Sequence, residues 1–291
     1  MPFKPLVIVW LPLNSQIVNS ALLDDAMGFC CRGRVSKTTM DHNGLLEALQ
    51  RAVSELVANE DRVAVAYSGG LDSSVIAALA SEKANVTCYT CAVEGSFDSR
   101  NARQFADGER RQFTMLELGQ EDLRSFVQKA SRLLGTTDPV RIAYTIPVLC
   151  VLHRSAERVV LTGSGADELF GGYAKYAGMK DPTQVMATDL ERMLSETHSL
   201  SSEAAKLGKV IGFPYAAPAV IATAKRTPLG EKIDPTGRKI ILREVAKLLG
   251  LQSHKRPKKA AQYSSGVMKE MERLAKSEGL SLSQWTERTA E

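Results

Sequence analysis

Val63-Ala-Val-Ala-Tyr-Ser-Gly-Gly-Leu-Asp-Ser-Ser74 decides the fold. Four β-type residues, Val63 to Ala66, lead into Ser68-Gly69-Gly70-Leu71-Asp72-Ser73-Ser74, and an apolar helical pattern begins at once behind them. A strand, a glycine turn and a helix N-terminus in that order make an anion cradle. The paired glycines let backbone N–H groups approach a ligand, because no Cβ stands in the way. The helix aims its unpaired N–H groups and positive dipole end into the turn, and Ser68, Ser73 and Ser74 add hydroxyls. A phosphate or pyrophosphate is the natural guest. The competing reading is a plain βα turn in which Asp72 and Ser73 are caps.

Outward from this turn, the chain alternates. Leu45, Leu46, Leu49, Val53, Leu56 and Val57 recur at helical spacing behind Asn43. Strands are expected over 62–67, 86–93, 112–118 and 158–162, with helices over 72–82, 100–110, 120–134 and 139–156 between them. Alternation of this kind implies an α/β fold, a parallel sheet wound with helices on both faces. From about 182 onward β-type runs vanish, and helical patterns cover 183–196, 201–209, 216–225, 237–249 and 266–278. The expected organisation is a lead-in over 1–43, an α/β region over 44–180, and a helical C-terminal part over 181–291. Ligands of such sheets bind beyond the carboxyl ends of the strands, where the 68–73 turn lies.

Composition excludes several classes. The 291 residues are 44% hydrophobic and 24% charged, as in an ordinary globular protein. No run reaches the about 18 apolar residues of a membrane span. Leu6 to Leu11, between Pro5 and Pro12, reads as a strand and lacks a leader's cleavage site. Five cysteines, an odd number, argue for a reducing compartment, and a cytoplasmic location is expected. Cys88-Tyr-Thr-Cys91 has the spacing of half a zinc site, but on a strand its two thiols face opposite sides and no second such pair exists. The four histidines show no ligand spacing. A net charge of +4 does not demand a nucleic-acid partner. Neither the Walker phosphate loop nor the dinucleotide Gly-x-Gly-x-x-Gly occurs.

Ser-Gly-Gly-Leu-Asp-Ser instead resembles the PP-loop of the ATP pyrophosphatases. Some ninety residues on, Thr162-Gly-Ser-Gly-Ala-Asp-Glu-Leu-Phe-Gly-Gly-Tyr173 again carries a strand into a glycine turn and a helix. It resembles the second signature of the asparagine synthetase family and keeps Gly163, Gly165 and all of Asp167 to Tyr173. Asp138 to Pro147, and Arg256-Pro-Lys258-Lys259 through Gln262 to Gly266, are similar to two further family segments. The resemblance runs from about 45 to 280.

It implies an ATP- and Mg2+-dependent ligase that adenylates a carboxylate or amide acceptor for attack by ammonia or an amine. ATP would lie on Ser68, Gly69, Gly70, Leu71, Asp72, Ser73 and Ser74, with Gly163, Ser164, Gly165 and Asp167 against its α-phosphate. Asp72 and Asp138 would hold the metal. Lys258, with Lys259 as a rival, would stabilise developing negative charge. The partners implied are a small-molecule acceptor and a separate glutaminase or other ammonia source, because position 2 is proline where family enzymes carry their catalytic cysteine. The match also breaks at Gly135, Ser164, Gly212 and Ala217, where the family has glutamate, glutamate, arginine and aspartate. Two other readings stay open: a tRNA-modifying enzyme of the PP-loop type, supported by the basic run 254–259, and a nucleotide-binding subunit acting with a partner.

Overall fold

Val63, Ala64 and Val65 are fully buried because their strand lies in the middle of the sheet. The computed structural model describes residues 41–256 and 261–291. The expected strand at 6–11, and most of the expected lead-in, lie outside them. The described chain opens with α1 (His42–Val57), whose N-cap Asp41 accepts the Gly44 N–H at 2.9 Å. There follow β1 (Arg62–Ala66), α2 (Leu71–Ser81), β2 (Asn85–Ala92), α3 (Phe97–Gly108), β3 (Gln112–Glu117), α4 (Gln120–Leu134), α5 (Pro139–Arg154) and β4 (Val159–Leu161). These match the expected alternation closely.

Beyond β4 come α6 (Ala166–Phe170), α7 (Ala174–Ala177), α8 (Thr183–Lys206), β5 (Val210–Gly212), α9 (Pro218–Arg226) and α10 (Leu229–Lys232). The chain closes with β6 (Ile233–Asp234), β7 (Gly237–Arg238), α11 (Ile240–Leu248), α12 (Ala261–Ser264), α13 (Val267–Ser277) and α14 (Leu282–Ala290). The expectation that strands vanish after 182 is therefore corrected. β5 closes one edge of the main sheet, and β6 and β7 form a small antiparallel hairpin. One long α8 also replaces the two helices expected there. Ser201 and Ser202 donate to the carbonyls of Thr197 and His198 at 2.8 and 3.1 Å, so the serine-rich stretch satisfies its hydroxyls within the helix.

The sheet order is β3-β2-β1-β4-β5, with every pair parallel. Helices cover both faces. Val63, Val65 and Cys88 pack in one core with residues of α1, α2, α9 and α11. Ala64, Val160 and Cys91 pack in the other with residues of α4, α5, α13 and α14. Cys88 and Cys91 thus face opposite sides of the sheet, as strand periodicity requires. Among the described residues no helix is long and apolar enough to cross a membrane.

The topology matters for chemistry because β1 lies between β2 and β4. The chain leaves β1 on one side, returns through β2 and β3, and comes back to β4 on the other. That reversal is the switch point at which doubly wound sheets bind ligands. Both glycine turns sit there.

Candidate functional site

Two glycines shape the first turn. Gly69 has φ +69°, and a Cβ on it would meet Phe105 Cδ2 at 2.3 Å, so glycine is required twice over. Gly70 caps α2 without a side-chain hydrogen bond to the first turn. Inside the loop the Ser68 N–H donates to Ser73 Oγ at 3.3 Å, Gly70 N–H to Ser68 Oγ at 3.4 Å, and Ser73 Oγ to the Gly70 carbonyl at 3.4 Å. Such long bonds are weak, and an oxyanion would replace them with shorter ones. Leu71 and Ser74 point into the core, and Ser74 Oγ donates to the Tyr67 hydroxyl at 3.5 Å.

The second turn lies against the first because β4 pairs with β1. Gly163 makes the approach feasible: a Cβ there would stand 3.0 Å from Asp72 Cβ and from the Ser73 nitrogen. Gly165, at φ +100°, opens α6 and brings Asp167 and Glu168 into its first turn. Glu168 is buried and accepts the Tyr173 hydroxyl at 2.6 Å. Burial, with Asp167 beside it, pushes its carboxyl up to about 7.

Lys239 joins the two turns. Its ammonium lies 2.6 Å from both carboxylate oxygens of Asp72 and 2.7 Å from Asp167 Oδ1, with 3% of the side chain exposed. The β6–β7 hairpin delivers it. Asp234 Oδ1 accepts the N–H groups of Thr236 and Gly237 at 2.7 and 2.9 Å, and Arg238 donates to the Gly172 carbonyl at 2.6 Å. Lys239 then caps α11 with φ +58°, a strained position for a residue with a Cβ. Gly172 leaves room for it, since a Cβ there would fall 2.2 Å from Lys239 Cε and 1.7 Å from Asp167 Oδ1. Sequence reading missed this residue. The available signal was the Asp234-Pro-Thr-Gly237 turn, followed by a lysine where helix caps favour short oxygen-bearing side chains.

A cavity of about 460 Å3 opens over both turns. Ser68, Asp72, Ser73, Gly163, Ser164, Gly165, Asp167 and Glu168 line one end. Val148 and Val151 of α5, Leu200 of α8 and Phe213 supply apolar wall, while Tyr144, Lys175, Arg192 and Glu196 supply polar wall. Glu196 is buried and accepts Arg141 Nε at 2.9 Å and the Tyr144 hydroxyl at 2.8 Å. Burial and Glu196 together raise the Tyr144 hydroxyl above its ordinary range. Lys175 and Arg192 are both held by buried Asp189, at 2.5 and 2.7 Å. Burial opposes that carboxylate's charge, yet the hydrogen bonds from Lys175 and Tyr176 hold it below its ordinary range.

Other expected residues are placed differently. Asp138 is exposed, caps α5 by accepting the Val140 N–H at 2.9 Å, and does not line the cavity. The residue brought beside Asp72 is Asp167. Lys258 and Lys259 lie outside the described residues. Gly135 ends α4 at φ +60°, in the left-handed conformation that closes helices. Gly212 packs on the core side of β5, where a Cβ would lie 2.6 Å from Leu161 Cδ2 and 2.8 Å from Leu56 Cδ1. Ala217 is the N-cap of α9. Among the described residues no cluster of three or more His, Cys, Asp or Glu is arranged to hold a metal by itself.

Comparison with known proteins agrees with the two-turn reading. Residues 44–212 match the family model described as asparagine synthase. The chain is 31% identical over 278 residues to a putative glutamine-hydrolysing asparagine synthetase of Methanocaldococcus jannaschii, covering 80% of this chain and 51% of that protein. It is 29% identical over 240 residues to the carboxyethyl-arginine beta-lactam-synthase of Streptomyces clavuligerus, covering 80% and 46%. The chain thus spans about half the length of these relatives. Among solved structures it resembles the NMN synthetase of Francisella tularensis, with a TM-score of 0.42, 14% identity, and coverage of 86% and 96%; nothing about the chemistry follows from a likeness at that score. With the family model spanning both glycine turns and the sheet that joins them, this chain belongs to the asparagine synthase family.

Proposed function

We propose that this chain is an ATP-dependent carbon–nitrogen ligase that activates an acceptor carboxylate as its adenylate. The observation that carries the reading is the meeting of the two glycine turns around Lys239, Asp72 and Asp167. The β- and γ-phosphates of ATP lie in the first turn, on the N–H groups of Gly70 and the α2 terminus and on the hydroxyls of Ser68 and Ser73. The second turn, Gly163 to Asp167, flanks the α-phosphate. An acceptor carboxylate oxygen attacks the α-phosphorus, the α–β anhydride bond breaks, and pyrophosphate leaves. An amine nitrogen then attacks the acyl carbon, AMP leaves with the bonding electrons, and the amine proton passes to a base. The same chemistry fits an amide acceptor whose oxygen is activated.

The residues fit a magnesium ion. Two carboxylates converge on one cation, and Mg2+ is commonly held by one or two carboxylates with phosphate oxygens and waters completing its shell. Asp72 and Asp167 would hold it, and Asp138 of the α5 cap would complete the set if that segment closes on the ligand. When bound, the ion would neutralise phosphate charge. Lys239 supplies a fixed cation to the same region, and the family resemblance assigns a second such role to Lys258 or its neighbour Lys259. Nitrogen arrives as ammonia or from a separate glutaminase. The acceptor occupies the α5–α8 end of the cavity, between Tyr144, Arg192 and Glu196.

The test is substrate-dependent release of AMP and pyrophosphate from ATP with Mg2+, over a panel of carboxylic acids and amines. Asp72→Ala should abolish it. Turnover that persists in Asp72→Ala, or AMP release that responds to tRNA and to none of the acids, would overturn the proposal.

A further inference from the structure

Arg256 is far from the first turn in sequence and touches it directly. It is 14% exposed, its Nη1 donates to the Gly69 carbonyl, and its Nη2 lies 3.3 Å from Glu109 Oε1. The guanidinium carbon stands 4.1 Å from the centroid of the Phe105 ring. That ring fills the space that a side chain at Gly69 would need. Glu109 also accepts the Tyr67 hydroxyl at 3.5 Å. Burial and Glu109 push that hydroxyl up to about 12, so it stays a donor at neutral pH. The backbone carrying Arg256 is itself fixed, because Arg243 donates to the carbonyls of Arg238, His254 and Arg256.

These contacts bear on one peptide unit. In a planar trans peptide the C=O and N–H point in opposite directions. With the Gly69 carbonyl held by Arg256, the Gly70 N–H turns the other way, to Ser68 Oγ at 3.4 Å, and Ser68 lines the cavity. Glycine on both sides leaves the unit without a Cβ to set its orientation, so the flipped arrangement costs little by itself. An oxyanion needs the N–H facing it; a flipped unit would present a carbonyl oxygen and repel the ligand.

We propose that Arg256 is a positioning residue that acts through the Gly69 carbonyl, holding the Gly69–Gly70 peptide with its N–H toward the cavity and so setting the affinity of the first turn for a triphosphate. This rests on the reading that the turn holds the phosphates of ATP. Arg256 is placed to do so because its planar fork serves the carbonyl, the Glu109 carboxylate and the Phe105 face together.

The test compares wild type, Arg256→Ala and Arg256→Lys. The readouts are calorimetric binding of a slowly hydrolysed ATP analogue with Mg2+, KM and kcat for ATP, and thermal midpoints. Arg256→Ala should weaken analogue binding about ten- to hundredfold, the scale of one charge-assisted hydrogen bond. KM should rise with little change in kcat, and added methylguanidinium should restore part of the affinity. Arg256→Lys keeps the charge without the fork and should also bind more weakly than wild type. A purely structural arginine would lower the thermal midpoint and leave both analogue affinity and methylguanidinium response unchanged, which would overturn the inference. Wild type that binds no nucleotide would remove the ATP reading, and this inference with it. Wild type that binds, beside variants that bind equally well, would remove this inference alone. Should Arg256→Ala fail to fold, the affinity of Arg256→Lys relative to wild type decides the matter in the same way.

Discussion

Replacing Lys239 by methionine keeps most of the side chain's length and removes a cation that Asp72 and Asp167 share. Breaking a buried ion pair by removing one partner costs about 3–5 kcal/mol, because the remaining charge loses part of its compensation. Here 16% of Asp72 and 17% of Asp167 stays exposed, so the cost should fall near the lower end, about 3 kcal/mol. For a domain of this size about 3 kcal/mol lowers the thermal midpoint by roughly 6–12 °C. The variant should then gain more from a divalent cation than wild type does, since the ion replaces the lost ammonium. For a site with a dissociation constant of about 1 mM, about 10 mM Mg2+ returns about 1.4 kcal/mol, or roughly 3–6 °C. The assay is a thermal melt of both proteins with and without Mg2+, alongside ATP-dependent turnover, which should fall sharply in the variant even with the ion present. A variant that melts with wild type, or equal Mg2+ stabilisation of both proteins, would refute the idea that Lys239 holds the two carboxylates together.

Gly172→Ala should mimic much of that loss, since its Cβ would fall 2.2 Å from Lys239 Cε and 1.7 Å from Asp167 Oδ1; turnover should drop about a hundredfold or more if the ammonium leaves the carboxylates, and unchanged turnover would count against the packing argument. Glu168 should make stability fall with pH: its folded carboxyl is raised from 4.5 to about 7, so the stability linked to its proton is complete below about 4.5 and lost as pH rises to about 7. That window is worth at most about 3 kcal/mol, and Glu168→Gln should remove the slope in urea titrations at pH 5 and 7.5. Gly212→Arg, which restores the residue type of the family pattern, should destabilise and not activate, because the added side chain meets Leu161 and Leu56; a soluble variant with improved turnover would show that the position faces the site after all.

Much of the fold could be read from the sequence because its determinants are local. Val63–Ala66 and Val159–Leu161 are apolar runs cut by glycine turns, and each is followed by a helical pattern. Periodicity and breakers are sufficient for such elements. β5 escaped because three residues at a sheet edge carry no period, and Gly212 makes them look like a turn. The expected break in α8 around His198-Ser-Leu200 is absent because Leu200 is buried and anchors the helix through that stretch. Lys239 is a different case. Its partner Asp72 is 167 residues away, so the charge pairing exists only once β1, β4 and the β6–β7 hairpin are assembled.

The departures from the family pattern carry a related lesson. Gly135 and Gly212 read in the sequence as lost chemistry, a glutamate and an arginine removed from an active site. In the structure Gly212 has no room for a side chain, and Gly135 has room but a backbone that disfavours one. Gly135 occupies a left-handed helix end, and Gly212 touches the core between Leu56 and Leu161. A side chain's absence at such a place says how the backbone turns before it says what the enzyme does. Acceptor choice must therefore be sought where side chains do face the cavity, on α5 and α8. There Arg192 and Glu196 stand one helical turn apart and present opposite charges to the same space. Glu196 is already bound by Arg141 and Tyr144, whereas Arg192 and Lys175 share the single carboxylate of Asp189. In this group three cations, Arg141, Lys175 and Arg192, share two carboxylates, Glu196 and Asp189. In the proposed ligase reaction, an acceptor bearing a carboxylate beyond the one it activates would pair with the extra cation of this group and should be turned over faster than an uncharged one.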